Sequence, residues 1–170
     1  MTELVLPGRM VQLRPVAPAD HALLEAILRE PSVARWWTPP DAAGPAADWL
    51  AHGTEATFVI EHAGVVIGSI QYAEEDDDNY RTAGIDLFLA TSAQGRGLGP
   101  DAIRTLARYL IDERGHHHLT IDPNVANVRA IRAYEKLGFR RVGVMRSYER
   151  GADGSWHDNL LLDLLADELT

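Results

Sequence analysis

Apolar positions along this chain recur with two periods, one near 2 and one near 3.6, and the change from one to the other marks out the elements. Residues 9–15 alternate apolar and polar positions and read as a first strand. From Asp20 onward Leu23, Leu24, Ile27 and Leu28 form one helical stripe, which Pro31 stops. A second short helical segment is expected over residues 33–37, followed by Pro39-Pro40 and an alanine-rich stretch to about Ala51. Residues 56–62 and 65–73 flank Ala63-Gly64 and predict a β-hairpin, and residues 80–90 predict another strand. A helix with Ile103, Leu106, Ala107, Leu110 and Ile111 on one face follows, with Pro100 suited to its first position and Gly115 to its end. Then come a strand over residues 118–122, a helix over 128–137 closed by Gly138, and two strands over 139–149 and 156–165 joined at Asp153-Gly154.

This order, with no internal repeat or low-complexity linker, predicts a single α+β domain over residues 1–170 with a mostly antiparallel sheet. A chain of 170 residues, 46% of them hydrophobic, is long enough to bury a sizeable core. It has no cysteine, which excludes disulfides, zinc–thiolate sites and a cysteine acyl-enzyme. With no leader-like start and no apolar run of membrane-spanning length, a cytoplasmic protein is expected. The net charge of −9 disfavours nucleic acid and anionic membranes as partners and suits a cationic one, although acidic surfaces also serve solubility alone.

The candidate chemistry starts at Gln94-Gly95-Arg96-Gly97-Leu98-Gly99, between a predicted strand and a predicted helix. Glycine permits a sharp turn and close approach of a ligand to main-chain N–H groups, and the helix start adds unpaired donors and the positive end of a dipole, so the turn is a seat for phosphate or simply a tight turn. A dinucleotide fingerprint started at Gly95 would need glycine where Pro100 stands, and a Gly-Lys-Ser/Thr ending is absent. The remaining pattern, Gln-x-x-Gly-x-Gly, resembles the pyrophosphate-binding motif of the GCN5-related N-acetyltransferase superfamily. A second stretch supports it in the right place: Asn127, Ala130, Tyr134, Glu135, Lys136, Gly138 and Phe139 match that superfamily's Asn-x-x-Ala-x-x-x-Tyr-Glu-Lys-x-Gly-Phe.

The resemblance implies a mixed, mostly antiparallel sheet of six to seven strands flanked by helices, and acetyl-coenzyme A as co-substrate with no metal. It implies cofactor contacts from Phe88, Leu89, residues 94–99, Asn127, Ala130, Tyr134 and Lys136, with Tyr134 as general acid for the departing thiolate. Without a cysteine or a Gly-x-Ser-x-Gly elbow, direct attack by an amine in a ternary complex is expected.

A closer resemblance rests on Gly84-Ile85-Asp86, Trp36-Trp37, the acidic run 74–78 and Asp122-Pro123, which look like aminoglycoside 6′-N-acetyltransferases. It makes Asp86 a base or ammonium anchor, Asp122 a second anchor, and Trp36 or Trp37 a wall for a cationic sugar. The structural alternatives are a core or interface role for the tryptophans, a turn or cap for Asp122, and a solvated loop for residues 74–78. Asp86 sits among Ile85, Leu87 and Phe88, where a carboxylate is uncommon without a task. The three histidines 116–118 suggest metal only weakly, since neighbours in a strand point to opposite faces. Competing functions are acylation of another amine (a polyamine, a hydroxylated lysine or a protein N-terminus) and a non-catalytic acyl-coenzyme A sensor, as a monomer or homodimer.

Overall fold

The computed structural model describes residues 4–37 and 55–170, so the Pro39-Pro40 and alanine-rich stretch falls outside the described residues. One mixed sheet organises the chain. Its strands are β1 (Leu6–Pro7), β2 (Gln12–Pro15), β3 (Glu55–His62), β4 (Val65–Glu75), β5 (Thr82–Leu89), β6 (His118–Ile121), β7 (Arg140–Arg150) and β8 (Trp156–Leu165). They lie in the order β1-β2-β3-β4-β5-β6-β8-β7, with β5–β6 as the parallel pair and the rest antiparallel. The strand expected over 9–15 begins only at Gln12: Gly8 N–H bonds Val11 O at 2.8 Å, which makes a turn of residues 8–11 and adds Leu6–Pro7 before it as a short extra strand.

Four α-helices accompany the sheet among the described residues: α1 (His21–Leu28), α2 (Pro31–Ala34), α3 (Leu98–Asp112) and α4 (Val128–Lys136). Pro31 does more than stop α1, because its fixed φ and missing N–H suit it to open α2. Helix α3 begins at Leu98, so Pro100 is its third residue rather than its first; the first four N–H groups of a helix have no partner inside it, and proline forfeits nothing there. Its apolar face carries Ala102, Ile103, Leu106 and Leu110, all fully buried against Leu13, Ile60, Ile70 and Leu119 on one side of the sheet. On the other side Leu24, Ile27, Leu28 and Val33 pack on Val59 and Phe88.

Two carboxylates tie the layers together. Asp101 of α3, 1% exposed, accepts the main-chain N–H groups of Met10 at 2.7 Å and Val11 at 3.1 Å, fastening the β1–β2 turn to the helix. Glu74 ends up as a structural residue and not a loop residue, since β4 runs on to Glu75. It accepts two hydrogen bonds from Arg114, at 3.1 and 2.8 Å, and pairs with His116 Nε2 at 2.7 Å. His118, the first residue of β6, instead faces Thr82 and Asp163, so His116 before the strand and His118 within it take different partners.

Candidate active site

The site is created by a place where the sheet opens. Strand β5 is paired with β4 along its whole length but with β6 only through Ala83–Leu119 and Gly84–Thr120. Beyond Gly84 the two parallel strands part. The Ala90 N–H bonds Ile67 O at 2.7 Å, and pairing alternates along an antiparallel ladder, so the main-chain groups of Asp86 and Phe88 face β4 while those of Ile85, Leu87 and Leu89 face the opening. The Leu87 N–H is met by Asp86 Oδ1 at 3.0 Å, and Leu89 O accepts from Gln94 Nε2, also at 3.0 Å. With those two groups met by side chains, the Leu87 carbonyl and the Leu89 N–H are left on this edge without a strand partner, suited to a ligand carrying amides of its own.

The glycine turn closes one end of this opening. Gln94 also reaches Ser32 Oγ at 3.1 Å, so its side chain pins the turn between β5 and α2. Gly95 and Gly97 hold φ of +73° and +77°, the left-handed region that a side chain resists. Such successive turns point consecutive N–H groups to one side and make an anion-binding concavity at the start of α3. Leu98 is a core residue and contributes its main chain alone, while Gly99 faces Leu89, where an added Cβ would stand 3.2 Å from Leu89 Cδ1. The residues fit a pyrophosphate.

Across the opening stands α4, capped by Asn127, whose Oδ1 accepts the Ala130 N–H at 3.3 Å. This is the capping role open to any asparagine at that position, and it leaves the Asn127 amide NH₂ to donate elsewhere. Tyr134, one turn further on, is half-buried with its ring 6.4 Å from Phe139. Burial raises its pKa above the ordinary tyrosine value, and the nearby charges of Asp86 and Asp122 raise it further. The phenol thus stays protonated and lies within the field of two carboxylates that are far apart in sequence. Lys136 is exposed in the last turn of α4.

Asp122 follows β6 directly; continuing the β5–β6 register by two residues sets it opposite Asp86. Its carboxyl pKa is raised, by burial first and then by Glu149, against the opposing effect of a 3.4 Å hydrogen bond from Asn159 Nδ2. That same Nδ2 donates to Asp122 O at 2.8 Å and to Glu149 Oε2 at 3.2 Å, while the buried Asn159 Oδ1 has no partner among the described residues. Tyr148 feels the group too: Asp122, burial and Glu149 all raise its pKa. Sequence reading missed Glu149, Tyr148 and Asn159. What brings them in is a bulge in β7, where four residue steps from Met145 to Glu149 face two on β8, with Ser147 at φ +49°. The signal available in the sequence was a glutamate near the end of a predicted strand, which has no meaning until the bulge aims it.

The tryptophans divide. Trp37 packs edge-on against Phe88, ring centroids 5.1 Å apart, beside the buried cluster under α1 and α2, whereas Trp36 carries the Arg35 guanidinium over its ring at 4.7 Å. Phe88 is accordingly a buried side chain in that layer.

A model of the GNAT acetyltransferase domain matches residues 11–140. This chain belongs to the GNAT acetyltransferase family. Among curated relatives of this GNAT domain is an aminoglycoside N(6′)-acetyltransferase type 1 of Klebsiella pneumoniae, 32% identical over 155 residues, covering 79% of this chain and 76% of the relative. A kanamycin resistance protein of Rhizobium radiobacter is 41% identical over 75 residues, covering 44% and 68% of the two chains. Solved structures share the fold at low identity: Mycobacterium smegmatis RimJ in complex with CoA-disulfide (TM-score 0.83, 24% identity, 97% and 88% covered) and a ribosomal-protein-S5-alanine acetyltransferase from Vibrio fischeri (TM-score 0.81, 16%, 99% and 100%). GNAT acetyltransferases use acetyl-coenzyme A, and the open β5 edge and glycine turn of this member suit its pantetheine and pyrophosphate. No helix among the described residues is long and apolar enough to cross a membrane.

Proposed function

We propose that this GNAT enzyme transfers the acetyl group of acetyl-coenzyme A to a primary amine of an aminoglycoside, with the 6′-amine favoured, by direct attack in a ternary complex. The observation that carries this reading is the convergence of Asp86, Asp122 and Glu149 on Tyr134 and Tyr148 at the mouth of the opening, with no lysine or arginine ion-paired to Asp122 or Glu149 among the described residues. Asp122 and Glu149, without a cation among the described residues and on a chain of net charge −9, are matched by a ligand bearing several ammonium groups. The relatives named for aminoglycoside and kanamycin give independent support.

Asp86 anchors the reacting ammonium beside the β5 edge. Asp122, whose raised pKa makes it the better proton acceptor, draws the ammonium proton away through water, and Glu149 and the Asn159 Oδ1 take a second amine or hydroxyl of the sugar. Main-chain N–H groups facing the opening polarise the thioester carbonyl. Tyr134, held protonated, gives its proton to the departing sulfur as the C–S bond breaks, and Tyr148 lines the approach.

Coenzyme A release measured against kanamycin-type aminoglycosides, polyamines and peptide N-termini, with the acetylated position read by NMR, tests the proposal. Turnover of 6′-amine aminoglycosides with the acetyl group on that nitrogen is the expected result. Turnover confined to polyamines or peptides would sink it.

A further inference from the structure

The glycine turn has a feature that its motif does not spell out. A Cβ built on Gly95 would lie 2.6 Å from Arg129 Nη2, so the guanidinium of α4 rests on the turn itself, in the space that a side chain at position 95 would fill. Arg129 is exposed and has no carboxylate or carbonyl partner among the described residues. An arginine held over a turn of outward-facing N–H groups without an anion is placed to meet one.

The turn carries a second arginine of its own, Arg96, and it is tethered. Arg96 Nη2 lies 3.4 Å from His62 Nε2, and His62 Nδ1 lies 2.8 Å from Met10 O. Both bonds form together when the imidazole hydrogen sits on Nδ1, which donates to the carbonyl and leaves Nε2 to accept from the guanidinium. Met10 is in turn fixed by the hydrogen bond from its N–H to Asp101 of α3, and its Cε would be 3.5 Å from a Cβ at Gly97. The links close a circuit: helix, β1–β2 turn, the end of β3, Arg96 and back to the helix.

We propose that Arg129 and Arg96 together hold the phosphates of the donor as a clamp, with His62 the positioning residue that aims Arg96. This deepens the functional reading above and rests on it. A chain of net charge −9 repels a polyanionic donor at long range, and two local cations from different elements offset that repulsion where the phosphates sit.

The test compares acetyl-coenzyme A with S-acetylpantetheine, which has the same thioester arm but no phosphate, using Arg129→Gln, His62→Phe and His62→Gln, whose amide can both donate and accept. For Arg129→Gln and His62→Phe the KM for acetyl-coenzyme A should rise about tenfold with kcat within about twofold. The KM for S-acetylpantetheine should stay within about twofold, and His62→Gln should recover most of the loss. Titration calorimetry with coenzyme A alone needs no acceptor and separates the two levels of the proposal. A wild-type chain that bound no coenzyme A would overturn the functional reading and the clamp with it. A wild type that binds, with either Arg129→Gln or His62→Phe binding equally tightly, would overturn the clamp alone. Equal losses with both donors would also overturn it.

Discussion

Two clusters of acidic side chains sit at different places on one sheet and behave in opposite ways. At the end of β4, Glu74 is enclosed by donors: Arg114 holds both of its oxygens and His116, 1% exposed, caps one of them. Those bonds, from Arg114 first, lower its pKa. At the mouth of the β5–β6 opening, Asp122 meets another carboxylate, Glu149, across a shared asparagine, and burial with that charge raises its pKa. Chemically similar groups are thus neutralised within the fold in one place and, in the other, set beside a second carboxylate, where we propose that they bind the amine. What separates them is whether the fold supplies the counter-charge or leaves it to a ligand.

Breaking the functional cluster should have the largest effect, on the reaction and not on the fold. Tyr134→Phe removes the proton proposed for the leaving sulfur, and kcat should fall by about 10²-fold or more with coenzyme A affinity unchanged, as steady-state kinetics and calorimetry would check. A variant with wild-type turnover would remove Tyr134 from the chemistry. Glu74→Gln should do the reverse: activity per folded molecule is kept, while stability drops by about 1–3 kcal/mol because Arg114 and the buried His116 lose an ionic acceptor, measurable by urea unfolding.

Asp122→Asn sharpens the contrast most directly, since it should hurt function and help stability. The KM for the amine should rise about tenfold, and the melting temperature should increase by about 1–4 °C as a buried like-charge contact is relieved. The smallest effect is in the pH dependence, and its sign differs between the two sites. Asp122 has a raised folded pKa, so its stabilising contribution is present below the ordinary aspartate value of about 3.9 and is lost as pH rises through the folded value. The advantage of Asp122→Asn over wild type should therefore grow from pH 4 to pH 7. Glu74 has a lowered folded pKa, so its contribution is present above about 4.3 and is lost as pH falls through the folded value. The deficit of Glu74→Gln should accordingly shrink towards low pH. Thermal melts from about pH 3 to pH 7 would show both trends, and parallel curves for the two variants would contradict the distinction.

Local patterns carried much of this protein in readable form. The helical stripe of α3, the β3–β4 hairpin and the two cofactor motifs depend on periodicity and on glycines at particular spacings, properties of neighbouring residues that fold the same way wherever they sit. Asp86 stood out for a local reason too, as a charge among apolar strand neighbours. Glu74 was misplaced because nothing near it in sequence announces Arg114, 40 positions away. Glu149 and Asn159 escaped notice for the same reason. Their meeting with Asp122 requires β8 to lie between β6 and β7, and β7 to bulge at Ser147. By itself, then, the sequence determined the elements, the family likeness and the glycine turn proposed as the donor seat, because each is written in short-range spacing. Tertiary structure alone decided which carboxylates are neutralised and which are left open, because a charge takes its character from what the fold places within a few ångströms of it.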